Sequence, residues 1–135
     1  MSDQAEQPQT TVLYRPTGDN ELALIRQRNF RSFPPRLYWQ PIFYPVLFEE
    51  YARQIARDWN AKDGKRGYVT RFAVETAHLA QFEIHQVGSS LHQEYWIPAE
   101  ELEEFNRNIV GPIEAIAEYE SSPTISEPSE ASESS

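Results

Sequence analysis

The polar ends of this chain constrain its fold more than any motif, because they confine the core to what lies between them. Glu120 to Ser135 is a serine, glutamate and proline tract, and residues 1–10 are polar with no apolar periodicity. Neither stretch can bury enough surface to offset the entropy of ordering, so disordered tails are expected at 1–10 and 120–135. A single domain is expected over 11–119. In a chain of 135 residues that leaves room for one modest core and no second. This core must be aromatic-rich, since Trp39, Trp59, Trp96, seven tyrosines and seven phenylalanines carry much of the apolar area.

Cysteine is absent, which excludes a disulfide framework, a thiolate metal site and a cysteine nucleophile and permits a reducing compartment. Met1 to Glu6 has neither a basic nor an apolar stretch, and no apolar run approaches the roughly 20 residues of a membrane helix. A soluble, cytoplasmic protein with no membrane partner is expected. Of the net charge of −9, six units sit on Asp3, Glu6, Glu120, Glu127, Glu130 and Glu133, leaving about −3 for the middle. Nucleic acid is therefore not the expected partner, because a phosphate-tracking face needs many basic side chains. The densest basic stretch, Arg26, Arg28, Arg31 and Arg36, reads as a solvated helix end and loop, or as a local patch for phosphate.

Apolar spacing predicts about six strands and three helices, mostly segregated, hence an α+β fold with a mixed or antiparallel sheet. Thr11 to Arg15 reads as a first strand, followed by a helix over Asn20 to Arg28 with Asp19 as its N-cap. Pro41 to Pro45 reads as an edge strand or loop. The strongest helix is Glu49 to Asn60, where Tyr51, Ile55 and Trp59 form a core-facing stripe. Gly64 and Gly67 mark a turn before strands at Tyr68–Val74, Phe82–Val87 and His92–Ile97, with a short turn or helix around Glu75–Ala80. Pro98 opens a helix over Ala99 to Asn108, and Gly111-Pro112 turns the chain into a last strand, Ile113 to Tyr119.

Three strings carry chemistry in chain order: Leu13-Tyr14-Arg15 on the first strand, Phe43-Tyr44-Pro45 before a helix, and Gln93 to Pro98 around Glu94. Cleaving a nicotinamide glycosidic bond develops positive charge on the ribose as a neutral base departs. It calls for a carboxylate beside the ribose, an aromatic wall against the base and a donor fork for phosphate or ribose oxygens. Glu94, Tyr44 and Arg15 have those types, and His92 and Trp96 flank Glu94 on one predicted strand face. Each has a plainer reading too: Arg15 as the partner of a carboxylate or loop, Tyr44 as a core aromatic. His78, His85 and His92 fall on different predicted elements, so no metal site is expected. Gly64-Lys65-Arg66-Gly67 lacks phosphate-loop spacing.

The trio resembles the ADP-ribosyltransferase superfamily, whose sites combine an arginine or histidine on the first strand, a central aromatic or serine, and a glutamate on a later strand. The strings FPPRL, QPIFYPVL, GYVTRF, HQEYWIPAEELEEFN and IVGPIE are similar to those of a small, mainly bacterial family often labelled "ADP-ribosylation/crystallin J1". That likeness covers nearly all of residues 11–119. The resemblance implies an ADP-ribosyltransferase-like sheet, NAD as substrate, Glu94 as catalytic carboxylate, and Arg15, Tyr44, His92 and Trp96 as NAD-binding residues. NAD or ADP-ribose and an unidentified acceptor are the implied partners. Arginine-modifying members carry Gln or Glu where this chain has His92, so the acceptor implied is not arginine. The alternative is a non-catalytic nucleotide-binding or protein-interaction module that keeps the fold.

Overall fold

The computed structural model describes residues 9–121. The tails expected at 1–10 and 120–135 lie outside the described residues except at their inner edges, where the first strand begins at Thr10 and the last ends at Glu120. The fold is mixed α+β with antiparallel pairing throughout. Among the described residues seven strands and four α-helices run in the order β1 (Thr10–Gly18), α1 (Asp19–Gln27), β2 (Ile42–Phe43), α2 (Glu49–Ile55), β3 (Arg66–Glu75), α3 (Thr76–Leu79), β4 (Ile84–Gln86), β5 (Gln93–Tyr95), β6 (Ile97–Pro98), α4 (Leu102–Arg107) and β7 (Ile109–Glu120). Among the described residues no helix is long and apolar enough to cross a membrane.

The long strands form one sheet in the order β1-β3-β7. Across it Leu13 faces Phe72 and Arg15 faces Thr70, so these four share a face, and that face meets the main core. Leu13, Ile25, Phe33, Phe43, Phe72, Phe105 and Ile113 fill this core, with Phe33 4.8 Å from Phe72 and 5.0 Å from Phe43 between ring centroids. Burying each such side chain is worth about 1.5–3 kcal/mol. On the opposite face Val69 packs with Val46, Ala52 and Ala56.

A single residue extends the sheet beyond β1. Val46 exchanges both backbone hydrogen bonds with Tyr14, at 2.7 and 2.9 Å, and bridges on its other side to Glu94. Its neighbours complete the join: the Leu47 N–H donates to Gln93 O at 3.1 Å and the Tyr95 N–H to Pro45 O at 2.9 Å. The order thus runs β7-β3-β1, then Val46, then β5-β4. The seam lies just past the proline-bounded segment Pro41–Pro45, within which Ile42–Phe43 pairs with β6 alone and so is the edge strand expected there.

Other expectations need correction. Gly18, not Asp19, occupies the N-cap of α1; the Asp19 carboxylate instead accepts from the Tyr68 hydroxyl at 2.9 Å and the Arg66 N–H at 3.2 Å. The Glu49–Asn60 helix passes into a π-helical turn over Ala56–Asn60. The wider turn rotates Trp59 off the predicted stripe, leaving it 68% exposed. Gly67 lies inside β3, not in a turn; a Cβ there would stand 2.1 Å from Ala56 O, so only glycine lets the π-helical turn approach the sheet so closely. Nor does Gly111-Pro112 turn the chain: β7 runs through it from Ile109, and the residues missing from the ladder are absorbed in a bulge opposite Arg71–Ala73 with Gly111 at φ 82°. The strand expected over His92–Ile97 is broken at Trp96 into β5 and β6, and only Ile84–Gln86 of the expected Phe82–Val87 strand pairs.

Candidate functional site

Arg15 leaves the main-core face near the end of β1, where the buried Thr70 hydroxyl donates to its carbonyl at 2.9 Å. Its guanidinium grips Glu21 at two points, Nε to Oε2 at 2.6 Å and Nη2 to Oε1 at 2.9 Å, and Nη1 reaches Tyr44 O at 3.4 Å. Glu21 sits in the first turn of α1, where the helix dipole favours a carboxylate. The Phe43 ring lies 4.5 Å from the Arg15 Cζ, so the arginine, 8% exposed, is held by ion pair and aromatic face together.

Glu94 is placed by β5, beside the seam. It is 9% exposed, and each oxygen takes one hydrogen bond from a neutral donor: the Tyr51 hydroxyl to Oε1 at 3.2 Å and the Trp96 Nε1–H to Oε2 at 2.8 Å. No Lys, Arg or His forms an ion pair with it among the described residues. Burial, then the Glu94 charge and hydrogen bond, pushes the Tyr51 phenol up to about 12, which extends the range over which it donates to Glu94 into alkaline pH. Trp96 is fixed in turn by His85, stacked on it at 3.8 Å and 13°, and meets Tyr44 edge-on at 6.1 Å.

Arg15, Tyr44, Glu94 and Trp96 therefore line one open cleft of about 440 Å³, within the size range of small-ligand sites. Four of the five residues expected at the site meet there. His92 does not: it lines a neighbouring cleft of about 430 Å³ with Tyr51, Gln54, Asp58 and Trp59. Its Nε2 lies 3.0 Å from Gln54 Oε1 while the Ser89 N–H approaches Nδ1 at 3.4 Å, a pairing the Nε2–H tautomer satisfies. Its link to the first cleft is Tyr51, whose ring packs 4.6 Å from the imidazole and whose hydroxyl holds Glu94.

Other residues in or behind the cleft wall escaped the sequence reading. Glu21 neutralises Arg15 from the next helix. Tyr51 looked like part of a core stripe. Asn60 comes to the cleft from the end of the π-helical turn, its Oδ1 buried without a hydrogen-bond partner among the described residues. Of the four clustered arginines, Arg26, Arg28 and Arg31 are exposed, while Arg36 is half-buried in the cleft wall. Density of basic residues was the available signal, and it did not single out Arg36. The three histidines are dispersed among α3, β4 and the loop before β5. Among the described residues no group of His, Cys, Asp or Glu is arranged to hold a metal ion. No protein-family profile, curated protein or solved structure matches the chain.

Proposed function

We propose that this cleft binds NAD or ADP-ribose, and that the protein is ADP-ribosyltransferase-like, passing ADP-ribose to an acceptor yet to be identified or hydrolysing NAD. Glu94 carries the reading. A buried carboxylate with both oxygens oriented by neutral donors, and no counter-cation paired to it, is a preorganised negative charge facing a cleft. When the nicotinamide bond breaks, positive charge moves from the ring to the ribose, and a fixed carboxylate beside the ribose stabilises that transition state more than the ground state. Tyr44, partly exposed and set edge-on to Trp96, supplies an aromatic wall for the nicotinamide. Arg15 retains guanidinium hydrogens for a ribose or phosphate oxygen. His92, one cleft away, is suited to orienting the acceptor. Lack of cysteine fits work in a reducing compartment such as the cytoplasm.

The commitment of the Arg15 fork to Glu21 favours a second reading, in which the fold is kept as a non-catalytic nucleotide-binding module. Calorimetric titration with NAD and ADP-ribose, paired with a nicotinamide-release assay on Glu94→Gln, separates the two. The enzyme reading expects saturable binding and a fall in release of roughly 10²-fold or more, the scale of losing one preorganised electrostatic group, with NAD affinity little changed. Binding without turnover in the parent protein selects the module. No heat at millimolar NAD removes both.

A further inference from the structure

The cleft contains two guanidinium groups, and their surroundings differ. Arg15 spends its Nε and Nη2 on Glu21 and its Nη1 on Tyr44 O. Arg36 spends only Nε, donated to Ile42 O at 3.2 Å, and has no ion pair among the described residues. Both lie over the Phe43 ring, with Cζ at 4.5 Å for Arg15 and 6.0 Å for Arg36. Two like charges thus share one aromatic neighbour and one ion-paired carboxylate. Burial first, and the Arg15 charge second, lower the Arg36 pKa, with Glu21 and Tyr44 opposing them; the group stays cationic, but its charge is under-compensated.

Its backbone is braced as well. Pro34-Pro35 precede it, and the turn after it is closed by the Gln40 N–H to Leu37 O at 2.8 Å and the Leu37 N–H to Gln40 Oε1 at 3.1 Å. The next segment is tied down by β2–β6 pairing and by the Ala99 N–H to Pro41 O at 2.8 Å. A half-buried cation so held, lining an open cleft with no hydrogen bond from either terminal nitrogen among the described residues, has donors to spare for a bidentate oxyanion site.

We infer that Arg36 is the principal anion-binding residue of this cleft, taking a phosphoryl group through Nη1 and Nη2, which leaves Arg15, already paired with Glu21, to the neighbouring ribose or phosphate oxygens. The ligand class is a phosphate or pyrophosphate ester, which rests on the nucleotide reading above; the anion site itself does not. Glu94 shares the cleft without pairing with either arginine, so the anion is expected at the Arg36 end and the electropositive part of the ligand at the Glu94 end.

The test is calorimetric titration of the full chain with inorganic pyrophosphate and, separately, with ADP-ribose, for the parent, Arg36→Ala and Arg36→Lys, each checked for an unchanged far-ultraviolet spectrum. Pyrophosphate should bind the parent in a salt-sensitive manner and weaken by roughly 10- to 100-fold in Arg36→Ala, the loss expected for charge-assisted hydrogen bonds. Arg36→Lys should recover part of the affinity, since it keeps the charge and loses the fork. Pyrophosphate binding without ADP-ribose binding would keep the anion site and remove the nucleotide reading. ADP-ribose binding that is equal in all three proteins would do the reverse, and absence of pyrophosphate binding in the parent overturns the inference outright.

Discussion

The β1-β3-β7 sheet and the half joined to it at Val46 are built on different principles. In the first, strands of nine to twelve residues pair along most of their length, so many backbone bonds secure each element. In the second, β2, β4, β5 and β6 are two or three residues long, and side-chain contacts do what ladders do elsewhere. Glu94, Trp96, Tyr44 and Arg36 all belong to that second half, while the first contributes Arg15 and the covering residue Pro16. Long ladders fix a frame, and short strands leave backbone turns and unpaired side chains free to line a cleft.

The largest expected effect lies in the frame. Gly67→Ala places a Cβ against backbone atoms, 2.1 Å from Ala56 O, with Asn60 Cβ at 2.9 Å, and neither can swing aside. We expect about 3 kcal/mol of destabilisation, as for a severe overpacking, measured by urea unfolding followed by circular dichroism. A loss below about 1 kcal/mol would mean that the π-helical turn is not pinned to β3.

A smaller global effect but a larger local one is expected at the seam. Val46→Pro removes the N–H that donates to Tyr14 O at 2.7 Å and leaves that carbonyl without its partner, a cost of about 2 kcal/mol. Amide exchange should accelerate in β4 and β5 while β1 and β3 keep their protection, and NAD binding should be lost. If every strand loses protection together, the two halves are one cooperative unit and the contrast between them fails.

The smallest effect is expected from Tyr51→Phe, which deletes one hydrogen bond to Glu94, worth about 1 kcal/mol. Its pH signature is more telling than its size. Tyr51 is raised from 10.0 to about 12 in the folded protein, so the folded state holds a proton that the unfolded chain releases. That contribution is fully present below pH 10.0 and disappears as the pH rises to about 12. The parent should therefore lose more stability than Tyr51→Phe across that window in parallel unfolding titrations; identical slopes would show that burial and Glu94 together do not raise Tyr51 in the folded protein.

Much of the frame was legible in the chain. The alternation from Tyr68 to Val74 and the apolar spacing around Leu22 and Ile25 identified β3 and α1 because burial repeats with the local period of each element. The broken pieces were not legible. Trp96 interrupts what looks like one continuous strand, and the π-helical turn at Ala56–Asn60 moves Trp59 outward without any local mark in the residues. Gly111-Pro112 has turn composition, yet a bulge in a long strand uses the same backbone freedom. At the cleft, Arg15, Tyr44, Glu94 and Trp96 were recognisable by residue type and order. His92 was expected beside them by alternation along one strand, and the loop before β5 directs it to the next cleft instead.

The α+β class and the positions of the principal helices were settled by composition and period, since both act between residues close in the chain; the aromatic core was foreseen only in part, because phenylalanines fill it while Trp39, Trp59 and Trp96, expected to share it, all stay exposed. Which side chains face one another was settled only in three dimensions. The support of Glu94 by Tyr51 from 43 residues away and the arrival of Arg36 beside Arg15 depend on how distant segments are joined, at the Val46 bridge and where the π-helical turn approaches β3 over Gly67. Convergence of that kind is a property of packing, where one backbone bridge or one missing Cβ sets the relative position of whole elements, and no local propensity encodes it.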